Sequence, residues 1–200
     1  MRELFGVKYS IHPEVYEPSD DTVLLLRCMD PAPSERCLDV GTGVGVAAIF
    51  AARAGAKVCA TDVNPHAVRV ARWNARENDV SIGAVLADLD GPFRTAFDLV
   101  TFNFPYLPTT DDDHVQGPLD KAFDGGPDGL DVLRRFLPTL RARLAPDGRA
   151  LIVFSSLADP ERCRSLCVQA GFRVEVAASE AFPMEKVYVY RLTHAPARTI

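Results

Sequence analysis

No stretch of this chain approaches the roughly 18 to 20 uninterrupted apolar residues that a membrane span requires. The opening Met1-Arg2-Glu3-Leu4-Phe5 also lacks the long apolar region of a secretory signal. A cytoplasmic protein with no membrane contact is the expectation. Cysteine is scarce and odd in number, five in 200 residues, with no C-x-x-C knuckle. Cys28, Cys37 and Cys59 fall in or beside apolar patterns and read as reduced core thiols. Cys163 and Cys167 lie one turn apart on a predicted helix, without a nearby His or third Cys to complete a tetrahedral set, so no metal is expected. Positive charge is short too: 22 Lys and Arg against 27 Asp and Glu give a formal charge of −5. That balance supplies no bulk field for nucleic acid. Repeats and low-complexity tracts are absent, and so is a conspicuous catalytic base. His66 and His114 read as helix-surface and loop residues, while His12 stands before the Tyr16 segment, within reach of a substrate.

What is present suffices for one packed core: 48% of residues are hydrophobic and 24% charged, which suits a single domain over residues 1–200. Apolar runs alternate with helical patterns, the signature of βαβ units around a mostly parallel sheet. Strands are predicted at Cys37 to Val40, Val58 to Thr61, Ala84 to Leu86, Leu99 to Phe102, Ala150 to Phe154, Phe172 to Val176 and Val187 to Leu192. Helices are predicted at Val46 to Ala54, Pro65 to Asn78, Leu130 to Leu144 and Pro160 to Ala170, with an N-terminal segment and helix in residues 1–30. Asn64-Pro65 and Asp159-Pro160 each supply an N-cap followed by a proline at the first helical position. Pro138 predicts a kink or break in its helix. The last two strands have no helix between them, so the final one returns antiparallel. Residues 107–129, rich in Pro, Gly and Asp, form a long connection of the functional kind.

Two constellations carry chemistry. Leu38 to Val46 runs from strand through Gly41-Thr42-Gly43-Val44-Gly45 into a helix, and glycines at alternate positions let the backbone pass close under a ligand. The spacing departs from the dinucleotide pattern G-x-G-x-x-G, which argues against a nicotinamide dehydrogenase and for a different adenosyl ligand. Asp39 precedes the turn. Asp62 ends the second predicted strand, where a carboxylate can accept two ribose hydroxyls, with Val63 beside it. Asp88, followed by Leu89, ends the third, where it can meet an adenine amino group. Carboxyl ends of successive strands are where open α/β sheets bind ligands. The second constellation is Asn103-Phe104-Pro105-Tyr106 after the fourth strand. The Asn103 oxygen and the carbonyl of Phe104 can each accept one N–H of a planar –NH2 group while the Tyr106 ring stacks on it.

These motifs resemble those of class I S-adenosylmethionine-dependent methyltransferases over almost the whole chain. More narrowly, Val15 to Thr22, Asp39 to Gly45, Thr61 to Pro65, Asn103 to Tyr106 and Ala122 to Leu130 resemble the HemK/PrmC family of glutamine methyltransferases that modify translation release factors. The nearer match is to its short branch, which lacks a separate N-terminal substrate domain. The resemblance implies a Rossmann-like, seven-stranded, mostly parallel sheet with an antiparallel last strand and helices on both faces. It implies S-adenosylmethionine as cofactor, Thr22 near its methionine end, catalysis by Asn103 to Tyr106, a release-factor-like protein substrate, and in some relatives a small zinc-containing activator subunit.

One residue departs from the family tetrapeptide, asparagine-proline-proline-tyrosine: Phe104 replaces the first proline. The carbonyl survives, but the ring points either into the substrate channel or into the core. Three alternatives therefore stand beside glutamine methylation: a small-molecule N-methyltransferase with residues 107–129 as a lid, an adenine N6 methyltransferase on nucleic acid, against which Asp111-Asp112-Asp113 argues, and an inactive cofactor-binding subunit with Phe104 in the channel.

Overall fold

The computed structural model describes residues 1–91, 93–110, 117 and 119–196. Seven strands form one sheet: β3 (Arg36–Val40), β4 (Lys57–Asp62), β5 (Ile82–Leu86), β6 (Phe97–Asn103), β7 (Leu144–Ser155), β8 (Phe172–Ala181) and β9 (Lys186–His194). Their order is β5-β4-β3-β6-β7-β9-β8, and β9 is antiparallel to both its neighbours while the pairs from β5 to β7 are parallel. This is the expected Rossmann-like arrangement. Period-two alternation sorts side chains onto the two faces. In β7, Leu151 and Val153 join one core cluster, whereas Ala150, Ile152 and Phe154 join the other. The first cluster packs under α1 (Asp20–Cys28), α2 (Val46–Arg53) and α3 (Pro65–Glu77). The second packs under α4 (Asp131–Arg143) and α5 (Pro160–Gln169).

Two features differ from the sequence expectation. Of the kink or break expected at Pro138, the break does not occur, since α4 runs unbroken from Asp131 to Arg143. A mid-helix proline costs about 3 kcal/mol. Leu133, Phe136, Leu137 and Leu140 bury one continuous face, each contributing about 1.5–3 kcal/mol, so burial wins. The N-terminal residues also form an unpredicted hairpin, β1 (Arg2–Leu4) with β2 (Val7–Tyr9). Val7 and Tyr9 bury into the first core cluster, and asparagine side chains fasten the hairpin to α3. Asn78 accepts from the Lys8 amide (2.9 Å) and Asn74 from that of Ser10 (2.8 Å). Asn74, fully buried, also donates to the Val44 carbonyl at 2.8 Å and so ties the N-terminal segment to the glycine turn. Asp111 to Asp113 and His114 lie outside the described residues.

Candidate active site

A cavity of about 590 Å3 opens at the carboxyl ends of β3, β4 and β6, within the range of about 300–1,000 Å3 usual for small-molecule sites. The glycine turn forms its floor. Gly41, Thr42 and Gly43 line it, and a Cβ on Gly43 would meet nothing nearer than the Tyr16 carbonyl at 3.8 Å, so the space above that backbone is open to a ligand. Gly45 does not line the cavity. At φ +90° it starts α2, and a side chain there would meet the Cα of Ala71 at 3.0 Å, so its role is to let α2 approach α3.

Two carboxylates hold the turn. Asp39 and Thr101 are cross-strand partners, and the buried Asp39 accepts from Thr101 Oγ1 and Thr42 Oγ1, both at 2.7 Å. Burial pushes its carboxyl up to about 6, against the pull of those hydroxyls. Asp62 accepts from the Gly43 amide through Oδ2 (2.9 Å) and the Asn64 amide through Oδ1 (2.8 Å). Each oxygen keeps a lone pair for a ribose hydroxyl. Burial raises the carboxyl of Asp62 as well, and the backbone amides oppose it. Val63 and Leu89 line the cavity too, the latter at φ +51° with its carbonyl held by Thr61 Oγ1 at 2.6 Å. Asp88 lines the wall but its side chain is 58% exposed and paired with Arg135. An incoming amino group must share or displace that partner.

The far end of the cavity is organised by a residue that sequence reasoning passed over. Asp21, only 5% exposed in the first turn of α1, accepts through Oδ2 from Asn103 Nδ2 (2.8 Å), Tyr16 OH (3.0 Å) and Tyr106 OH (3.3 Å). Its Oδ1 accepts from the amide and hydroxyl of Thr22. A carboxylate accepts and does not donate, so the amide end of Asn103 must face Asp21 and Oδ1 is left for the cavity. Burial, with Asp21 beside them, holds both tyrosine hydroxyls well above the ordinary phenol range, so they stay protonated donors. Phe104 is 1% exposed, its ring packed with Phe102, Phe154 and Tyr106 at centroid separations of 5.9, 6.3 and 6.2 Å. The ring points into the core and leaves the channel clear. Behind the tetrapeptide, Gly125 donates to the Leu107 carbonyl (3.0 Å) and Thr109 to that of Gly126 (2.9 Å), zipping the two arms of the 107–129 connection together. Phe123 comes over the cavity from that connection and meets Tyr16 edge-on at 5.7 Å.

His12 is outside the cavity wall, stacked on His66 at 4.5 Å. His12, Glu14 and His66 bring ligand-type atoms within 4.8 Å of one another. Arg69 faces His66 Nδ1 at 3.0 Å, and an arginine only donates, which puts the ring proton on Nε2, 2.8 Å from Glu14. The trio is a hydrogen-bonded brace for the Glu14-Val15 segment. No helix among the described residues is long and apolar enough to cross a membrane.

The methyltransferase small domain family matches residues 16–119. A Methanocaldococcus jannaschii protein that carries the name protein N5-glutamine methyltransferase is 38% identical over 94% of this chain and 95% of its own. The release factor glutamine methyltransferase of Deinococcus radiodurans is 35% identical over 86% of this chain, which spans 65% of that enzyme's length. The chain is a methyltransferase of the HemK/PrmC family. The fold agrees: Mtq2 of E. cuniculi, solved with Trm112 as the complex that methylates the translation termination factor eRF1, superposes with a TM-score of 0.72 at 24% identity, over 91% of this chain and 99% of that one. For a HemK/PrmC enzyme the methyl donor is S-adenosylmethionine, and the residues present fit it: an open glycine floor, Asp62 with free lone pairs, and a cavity wide enough to reach from β4 to Asn103.

Proposed function

We propose that this enzyme methylates the side-chain amide nitrogen of a protein glutamine, as the relatives' names state for those proteins, with a release-factor-like protein as substrate. The orientation of Asn103 by Asp21 carries this reading. With Nδ2 committed to Asp21, Oδ1 is a fixed acceptor for one N–H of a planar amide. The Phe104 carbonyl is the second acceptor in this reading, and Tyr106 flanks the plane. When bound, the cofactor supplies a methyl group on a positively charged sulfur. The chain supplies position and polarisation. Both acceptors pull electron density onto a nitrogen whose lone pair is otherwise delocalised into its carbonyl, and they aim that lone pair along the line of attack. The nitrogen sheds its extra proton after transfer, when it is strongly acidic, so no side-chain base is needed.

The wall of the cavity favours an amide over a nucleic acid. Its carboxylates, Asp21, Asp39, Asp62, Asp88, Asp124 and Glu185, face only Lys121 and Arg135 among the described residues, and Arg135 is already paired. A polyanionic backbone would meet repulsion there. The buried Phe104 ring likewise removes the obstruction on which an inactive subunit would depend. The test is incubation with labelled S-adenosylmethionine and release factors carrying a Gly-Gly-Gln motif, beside the Gln→Glu form. Label on the first and none on the second is expected; label on neither overturns the reading.

A further inference from the structure

The outer face of α3 is basic and aromatic in a chain whose net charge is −5. The helix holds Arg69, Arg72 and Arg76 against one carboxylate, Glu77. At spacings of four and three, Arg69, Trp73 and Arg76 follow one another along a single stripe, with Arg72 on its flank. Trp73, the only tryptophan in the sequence, is 55% exposed, and its ring has no hydrogen bond, cation or aromatic partner among the described residues.

Arginines elsewhere commonly meet carboxylates, Arg27 with Glu180, Arg36 with Asp98 and Arg149 with Glu35 among them. Those of α3 do not, among the described residues. Arg69 faces His66 Nδ1, Arg72 donates to the Ala84 carbonyl at 3.1 Å, and the Arg76 guanidinium has no partner. Neutral acceptors leave three positive charges uncompensated. The macrodipole explains an arginine in the last turn of a helix. It does not explain an indole left in solvent between two arginines, which forgoes the gain of apolar burial.

The face is continuous with the active site. Arg69 touches His66, which holds Glu14, and Val15 and Tyr16 follow on the cavity wall. Ile11, 44% exposed, lies between Ser10, pinned to Asn74, and His12, stacked on His66, so it runs alongside the stripe. Two exposed apolar side chains bordered by three arginines match the make-up of protein interfaces, where tryptophan and arginine are enriched among the residues that carry most of the binding energy. Arg76 lies about 14 Å along the helix from Ala67 of the cavity wall, beyond the reach of a bound glutamine and within that of a folded protein.

We propose that this face is an exosite for the protein substrate, on which an acidic surface of the folded protein docks against Arg69, Trp73 and Arg76 while its glutamine enters the cavity. This rests on the protein-glutamine reading above. Carboxylates of the substrate meet the guanidinium groups, and one of its apolar side chains packs on the open indole. Docking there raises the local concentration of the glutamine at Asn103 without touching the reacting atoms, so it acts on KM and leaves kcat alone.

The test compares an intact release factor with a short peptide spanning its Gly-Gly-Gln motif, each with labelled S-adenosylmethionine. Trp73→Ala and Arg76→Glu are the variants, since neither side chain lines the cavity or makes a hydrogen bond or ion pair among the described residues. On the intact protein each raises KM by at least about fivefold, and the two together by at least about twentyfold, with kcat within about twofold of the wild type. Arg76→Lys stays near the wild-type KM, and on the peptide every variant matches the wild type. Cofactor affinity and thermal unfolding, measured in parallel, stay at wild-type values. An unchanged KM for the intact protein in the double variant, or an equal loss on both substrates, overturns the proposal alone. Binding of single-stranded RNA that Trp73→Ala abolishes, with KM for the intact protein unchanged, assigns the face to a nucleic acid and overturns it too. Absence of turnover on both substrates by the wild type overturns the glutamine reading and this proposal with it.

Discussion

Asn103 Nδ2 donates to Asp21 Oδ2 across 2.8 Å, joining the end of the fourth sheet strand in the chain to the first turn of the helix that precedes the sheet. The bond decides which way the Asn103 amide faces, and with it where the acceptor oxygen points. In the proposed reaction Asp21 is thus a positioning residue, acting on the substrate through Asn103.

The pair should behave as one unit. Asn103→Ala is expected to lower kcat by at least about a hundredfold with little change in cofactor affinity, as for a group acting mainly in the transition state. Asp21→Asn, which replaces an obligate acceptor with a group that can also donate, should cost a comparable factor. The double variant should be little worse than either single one, because each change already destroys the same arrangement. Additive losses in single-turnover kinetics would show that the two residues act separately.

Phe104 provides a stability test. Its ring is among the largest fully buried side chains. Phe104→Ala should destabilise the protein by about 3–5 kcal/mol in urea denaturation, the usual loss for a buried phenylalanine. A ring that gated the channel would give a loss under about 1 kcal/mol and a widened acceptor range.

Most of the sheet was legible because its strands carry unbroken apolar runs with turn signals at their ends. The two-sided core follows from the alternation in stretches such as Ala150 to Phe154, and the order of helices from caps such as Asn64, whose side chain accepts from the His66 amide at 2.9 Å. The N-terminal hairpin was not legible. Three residues per strand are too few for periodicity, and its polar attachment runs through Asn74 of α3 and the C-cap Asn78, whose partners lie more than sixty residues away. That the glycine turn and the strand-end carboxylates line one cavity was readable because both keep fixed places on this fold. Asp21 was not, because an acidic residue in the first turn of a helix is ordinary on electrostatic grounds alone. Glu185 carried no local signal, since only folding brings the β8–β9 turn beside Tyr16.

Asp39 makes stability depend on pH in a direction opposite to the usual carboxylate. Its folded value is raised from 3.8 to about 6 by burial, so between those values the folded state holds a proton that the unfolded state has lost. The stabilisation from this group is complete below about 4 and disappears as pH rises through about 6. Asp39→Asn cannot titrate, so its stability relative to wild type should improve between pH 4 and 7 by roughly 1–3 kcal/mol. Urea denaturation of both proteins across that range gives the difference directly. A constant gap between the two curves would mean that Asp39 is ionised throughout.

The last link runs from the 107–129 connection to the clamp. Gly129 sits at φ +73°, and a side chain there would run into the Tyr106 carbonyl, while a Cβ on Gly125 would stand 2.9 Å from that of Pro105. Both backbones press against the tetrapeptide from behind. Gly129→Ala therefore meets a backbone penalty of about 1–3 kcal/mol for the left-handed conformation, and it must also push Tyr106 toward the cavity. Displacing the Tyr106 hydroxyl breaks its 3.3 Å contact with Asp21 and narrows the slot beside Asn103. The expected result is a modest fall in melting temperature with a fall in kcat of about tenfold or more, a split that a purely structural glycine would not give. Unchanged kcat in a variant that has lost stability would mean that the connection supports the fold and leaves the clamp alone.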